Sequence, residues 1–303
     1  MASAETMTAS SPAAAHSASI PPLTTLDPRA PVGIFDSGLG GLSVLRAVRS
    51  VLPDEAIVYV ADSLYAPYGE RDDDFIADRT LAIGEWLVAQ GVKALVVACN
   101  TATAQSIALV REKLPIQLIG VEPGVKPAAQ QSKSRVAGVL ATRVTLRSAR
   151  FQGLLERYAS DCRFLCQPGL GLVEAVERCD IDSPELRKLL ESYLQPMLDA
   201  DADTLVLGCT HYPFLDAAIR DIAGDRLSLI DTSIAIARQL ERVLDQQDLR
   251  APARDAAPQP RFCSTSDGAH LKQLAATLLG IDAPVERVHI PSRRTITPDS
   301  HAA

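Results

Sequence analysis

"LVVACNTAT" at 95–103 and "LVLGCTHYP" at 205–213 decide the fold. Each is an apolar run too short for a helix, and each ends in a cysteine, Cys99 or Cys209, where the chain turns polar. Short apolar runs bounded by turn signals read as strands buried on both faces. Further runs of the same kind are "VGIF" (32–35), "AIVYVA" (56–61), "IQLIGV" (116–121), "RVAGVL" (135–140) and "LSLI" (227–230). Between most of them lie amphipathic stretches of helical length, such as "DDDFIADRTLAIGEWLVAQ" (72–90) and "SPELRKLLESYLQPMLDA" (183–200). Strands that alternate with helices in this way imply an α/β fold with mostly parallel sheets flanked by helices.

Because the two cysteine-ended units are alike in kind, the expected architecture is two similar lobes with the active site in the cleft between them. The crossings are expected near 122 and 231, so the first lobe comprises 31–122 plus 232–303 and the second 123–231. After the Pro/Ala-rich "APARDAAPQP" (251–260), "RFCSTSD" and "HLKQLAATLLG" read as one more strand and helix that return to the first lobe. Residues 1–30 are rich in Ala, Ser, Thr and Pro, with no basic n-region and no apolar h-region. They read as a disordered extension and not as a secretory signal.

The chain has 303 residues, 47% hydrophobic and 22% charged, with a formal net charge of −7 and a pI near 5.3. That acidic balance gives no electrostatic case for nucleic-acid binding. The absence of any continuous run of about eighteen apolar residues argues against a membrane span. A cytoplasmic location is expected, where disulfides are rare. Among the six cysteines, 162, 166, 179 and 263 read as packing or surface residues. The 162/166 spacing lies in the range of zinc pairs, but no second matched pair accompanies it, and no metal is expected.

Ligands of open α/β sheets bind beyond the carboxyl ends of the strands. Cys99 and Cys209 both sit there, each before a predicted helix, where free N–H groups attract an anion and lower a thiol's pKa. The pairing argues for an acid/base pair. "FDSGLGGLS" (35–43) admits two readings. It is a partial phosphate loop, with Ser43 in place of the third glycine and Asp62 at a distance suited to a ribose. Alternatively it is a tight turn whose amides meet a small carboxylate while Asp36 meets an ammonium. "YAPYGER" (65–71) reads as a Pro-Tyr-Gly turn. His211 could orient or deprotonate Cys209, or join it as a zinc ligand. Glu174 reads as a solvated helix residue.

In this order, "GIFDSGLGGLSV", "APYGER", "VVACNTAT", "GVLATRVT" and "LVLGCTHYP" resemble the glutamate racemases, from about Pro31 to about Gly280. The resemblance implies a cofactor-independent enzyme that interconverts L- and D-glutamate and supplies D-glutamate for peptidoglycan. It implies Cys99 and Cys209 as the acid/base thiols, Cys99 being the base toward D-glutamate as substrate and Cys209 toward L-glutamate as substrate. Asp36 and His211 would assist them. Asp36, Ser37, Tyr68, Gly69, Asn100, Thr101, Thr210 and His211 would hold the substrate, together with Thr142 and Thr145 of the threonine segment. Asp62 and Glu174 match accessory acids, although Val144 stands where many members have glycine. The N-terminal extension resembles that of members responding to a peptidoglycan precursor, which implies such an activator, and a homodimer is admitted.

The chemistry also follows from the residues. Inverting Cα removes a proton on one face and returns one on the other, which two thiols from two lobes can do. N–H groups and hydroxyls of Asn100, Thr101 and Thr210 would stabilise the planar anion. The alternatives are a related racemase acting on another amino acid such as aspartate, a non-catalytic regulator of DNA gyrase, and a dinucleotide-binding protein.

Overall fold

The computed structural model describes residues 26–292. Its strands are β1 (Val32–Asp36), β2 (Ile57–Ala61), β3 (Ala94–Val97), β4 (Gln117–Gly120), β5 (Val136–Ala141), β6 (Arg163–Pro168), β7 (Thr204–Gly208), β8 (Ser228–Ile230), β9 (Arg261–Ser264) and β10 (Val285–Arg287). They form two sheets, ordered β10-β9-β2-β1-β3-β4 and β6-β5-β7-β8. Every pairing is parallel.

Strand β1 shows why its neighbours are apolar throughout. Ile34 pairs with Tyr59 of β2 on one side and Val96 of β3 on the other. Ile34 and Val32 face a core that includes Leu42, Leu45 and Val48 of the helix Leu42–Val51. Phe35 points the other way, into a core with Ile76, Ile83 and Leu87 of the helix Asp73–Ala89. With helices on both faces, neither face tolerates a polar side chain, and burying each Val, Leu or Ile contributes about 1.5–3 kcal/mol. The second sheet repeats the plan. Leu205 and Leu207 of β7 face Leu190 and Leu194 of the helix Pro184–Asp199, while Val206 faces Phe151. The helix Ser233–Gln246 follows β8 and packs Ile236 and Leu240 into the core beside the helix Leu42–Val51. Strand β9 then joins β2 of the first sheet.

Strands β6 and β10 were not anticipated. Both lie at sheet edges, and their side chains are half-buried or exposed, so neither carries a continuous apolar run. Of the expected extension, residues 1–25 lie outside the described residues. Residues 26–30 make a turn in which the Pro28 carbonyl accepts from Lys93 Nζ at 2.5 Å. Lys93 also pairs with Glu55 at 2.5 Å, and Glu55 accepts the Ala251 N–H at 2.8 Å. Burial lowers the Lys93 pKa, its bond and charge pairing with Glu55 opposing that effect. No helix among the described residues is long and apolar enough to cross a membrane.

Candidate active site

Strand β1 ends at Asp36, whose carboxylate accepts the Gly38 N–H at 3.0 Å and so turns the chain back toward the helix at Leu42. The glycines of this turn admit the other lobe. A Cβ at Gly40 would lie 2.6 Å from Thr210 Oγ1 and collide with the His211 ring, and one at Gly41 would lie 2.6 Å from the Asp36 Cβ. The phosphate-loop reading therefore does not hold. The space beside the turn belongs to Thr210 and His211, and Asp62 is committed elsewhere. Its carboxylate accepts from Tyr68 Oη at 2.5 Å and from Arg79 Nε and Nη2 at 3.0 and 2.7 Å. Arg79 stacks on Tyr65 and gives its remaining Nη1 hydrogen bond to the Ile290 carbonyl at 2.7 Å.

Cys99 caps the helix Asn100–Lys113, its Sγ accepting the Ala102 N–H at 3.4 Å. Ser37 Oγ lies 3.3 Å from the same sulfur. A helix N-terminus alone would lower this thiol's pKa, but the opposite is found. Burial, followed by the nearby Asp36 charge, pushes Cys99 up to about 12, against the pull of Ser37 and the Ala102 N–H. Burial also raises Asp36, although His211 and the N–H groups of Gly38 and Gly41 draw it down.

Cys209 differs from the expectation in another way. It follows β7, but what comes next is a short 3₁₀ turn, Tyr212–Leu215, before the helix Asp216–Ala223. Its companion is a side chain: His211 Nδ1 lies 3.6 Å from Cys209 Sγ. Burial by itself would lower the His211 pKa, but the bonds to Cys209 and Glu177 outweigh it and hold the ring well above the usual histidine range. His211 Nε2 meets both Glu177 Oε1 at 2.6 Å and the Gly40 N–H at 3.1 Å. A cationic ring gives its Nε2 hydrogen to the closer Glu177 carboxylate.

The two thiols wall one cavity, about 40 Å³ of which is open to the centres of water molecules. Ser37, Tyr68, Gly69, Asn100, Thr101, Thr142, Thr210 and His211 share its walls. Asp36 and Thr145 do not line it. Asp36 lies beneath the glycine turn, fully buried, and accepts from Thr210 Oγ1 at 3.3 Å. Thr145 lies behind Thr142, whose hydroxyl donates to it at 3.0 Å. Thr101 and Thr142 meet at 3.0 Å across the cleft.

Two acids of the helix Leu172–Glu177 also stand differently from the sequence reading. Glu174 is half-buried. It lines the cavity, and its Oε2 is buried without a protein hydrogen bond. Glu177, which sequence reasoning passed over, is the residue that meets His211. Its only sequence signal is the i, i+3 spacing from Glu174, which any solvated helix face shares. Cys162, just before β6, is buried, and Cys166, within it, is exposed. No group of three or more metal-ligating side chains occurs among the described residues.

A sequence model of the Asp/Glu/hydantoin racemases matches residues 42–240. The glutamate racemase of Cupriavidus pinatubonensis is 58% identical over 86% of this chain and 96% of its own length. A glutamate racemase structure from Bacillus anthracis superposes with a TM-score of 0.79 at 31% identity, covering 87% of this chain and 99% of that one. The Escherichia coli glutamate racemase, solved with L-glutamate and the activator UDP-MurNAc-ala, superposes with a TM-score of 0.77 at 31% identity, covering 87% and 100%.

Proposed function

Because the chain belongs to the Asp/Glu/hydantoin racemase family and is a racemase, an isomerase, we propose that it interconverts L- and D-glutamate with two cysteines as acid and base. The observation that carries this reading is that Cys99 and Cys209, at the ends of strands in two different sheets, wall the same cavity. Toward D-glutamate formation, the Cys209 thiolate takes the Cα proton of L-glutamate, with the cationic His211 ring beside the sulfur balancing its charge. The electron pair left at Cα delocalises into the α-carboxylate, where N–H groups and hydroxyls of Asn100, Thr101 and Thr210 receive the added charge. The Cys99 thiol, whose high pKa keeps it protonated, returns a proton to the other face. In the reverse direction the roles exchange.

In this reading, the first lobe (31–122 with 232–303) supplies Cys99 and the second (123–231) supplies Cys209 and His211. Asp36 acts from below through the charge of both thiol surroundings, and Glu177 through His211. The product supplies D-glutamate for peptidoglycan in the cytoplasm. By analogy with the Escherichia coli protein, whose structure holds the activator UDP-MurNAc-ala, a peptidoglycan precursor raises its activity. Glutamate is preferred to aspartate because the relatives at about half identity or more are glutamate racemases. The test is a chiral assay of purified, chelator-treated protein, without pyridoxal phosphate, on both enantiomers of glutamate and aspartate. Turnover of glutamate alone is expected. Faster turnover of aspartate, or none without an added cofactor, overturns the reading.

A further inference from the structure

Behind the cleft lies a second, smaller cavity. Asn100 and Val121 wall it on one side, and Thr145, Arg150, Phe151 and Leu154 on the other. About 10 Å³ of it is open to the centre of a water molecule, room for about one. Two of its polar walls carry atoms without protein partners. Asn100 is 5% exposed, and its Oδ1 is cut off from solvent and accepts no protein hydrogen bond. Arg150 Nε is likewise buried and gives its hydrogen to no protein acceptor, although the far end of the guanidinium pairs with Glu122.

Buried polar atoms are overwhelmingly partnered, and a bare one is costly. A third polar wall is Thr145, whose hydroxyl accepts from Thr142 and keeps its own hydrogen to give. An acceptor and two donors around a water-sized space are what a buried water requires.

Resting on the reading of Asn100 as a substrate-binding residue, we propose that this cavity holds one ordered water, which donates to Asn100 Oδ1 and accepts from Arg150 Nε, making Arg150 a positioning residue for the racemisation site. Asn100 walls both cavities. An amide anchored through its oxygen at the back presents its NH₂ to the cleft, where a substrate carboxylate needs a donor. Unanchored, the amide can turn over and set its oxygen against the carboxylate. The anchor spans the cleft, since Asn100 follows β3 of one sheet and Arg150 lies on the helix Ala149–Tyr158, between β5 and β6 of the other.

Two arms test this. A crystal structure of the full chain that shows ordered water is expected to place a density peak within hydrogen-bonding distance of both atoms, and a dry cavity overturns the proposal whatever the activity. In the kinetic arm, Arg150→Met keeps the bulk and removes the donor, while Arg150→Gln keeps an N–H at the position of Nε. Arg150→Met should lower kcat/KM for glutamate about two- to tenfold with an unchanged melting temperature. Arg150→Gln and Glu122→Gln should stay near wild type. Wild-type rates in Arg150→Met, or an equal loss in Arg150→Gln, overturn it. Failure of the wild-type protein to racemise glutamate would instead strike the functional reading, leaving the density to judge the water.

Discussion

Glu177 Oε1 lies 2.6 Å from His211 Nε2. The same oxygen accepts the Leu39 N–H at 2.7 Å, so it holds both the histidine beside Cys209 and the turn that carries Ser37. Hydrogen bonds that raise a histidine pKa in the fold favour the charged ring there.

Replacing Glu177 with Gln should therefore cost stability in a pH-dependent way. The His211 pKa is higher folded than unfolded. Its contribution is full below the unfolded value of about 6.5 and is lost as pH rises through the folded value. The gap in melting temperature between wild type and Glu177→Gln should be widest at and below about pH 6.5 and should close in alkaline buffer. Racemisation should slow about tenfold or more, chiefly in the conversion of L- to D-glutamate, in which the proposed mechanism makes Cys209 the base. A gap independent of pH would show that Glu177 acts only on the turn.

Either cysteine alone should be insufficient. Cys99→Ala and Cys209→Ala should each lose at least about a thousandfold in both directions while remaining folded, because each turnover needs one base and one acid. In D₂O the wild-type enzyme should place deuterium in the inverted product while the remaining substrate initially stays protonated. Early labelling of both enantiomers would point to a single shared base.

Asp36 is among the groups that hold Cys99 protonated, so Asp36→Asn should ease its ionisation. With a pKa of about 12, the thiolate fraction at pH 8 is on the order of 10⁻⁴. Alkylation of Cys99, followed by mass spectrometry, should begin at lower pH in Asp36→Asn. The raised thiol pKa also implies that wild-type stability falls as pH rises above about 9, and Cys99→Ala should lose less there. An unshifted alkylation profile would remove Asp36 from the control of this thiol.

Gly40→Ala tests the contact between lobes. Its methyl would press on Thr210 and the His211 ring. Overpacking of this kind costs about 1–3 kcal/mol, relieved here by parting the lobes. Activity should drop about a hundredfold, with a larger radius of gyration in solution scattering. Near-normal kinetics would mean that the turn yields without opening the cleft.

Chelation should leave the rate unchanged. Both His211 nitrogens are engaged, with Cys209 and with Glu177, so neither is free to hold a metal. Loss of activity in EDTA that zinc restores would assign Cys209 and His211 to a metal.

The strands apolar on both faces were legible because burial by helices on either side leaves an unbroken hydrophobic run. Edge strands β6 and β10 bury less, and their sequences look like loops. The two thiols were legible through their repeated context, "CNT" and "CTH" after a strand. What surrounds them was not. The Cys99 pKa depends on Asp36, which arrives from another strand, and on burial that no local window reveals. Glu177 looks like any helix carboxylate until the second sheet brings it to His211. Asp62 stood at the right distance for a ribose only while Arg79 and Tyr68, which fill its hydrogen bonds, were out of sight.

The Arg79 bond to the Ile290 carbonyl bears on how this protein can be engineered. Ile290 follows β10, the last strand among the described residues, where one would ordinarily trim a chain or attach an affinity tag. Here a cut at that point would strip Arg79 of one acceptor, and Arg79 braces Asp62, which in turn fixes the Tyr68 hydroxyl at the cavity wall. Deletions reaching Ile290 should therefore act on the cleft between the two cysteines, and shortened versions intended for crystallisation or inhibitor screening should retain the chain through that carbonyl.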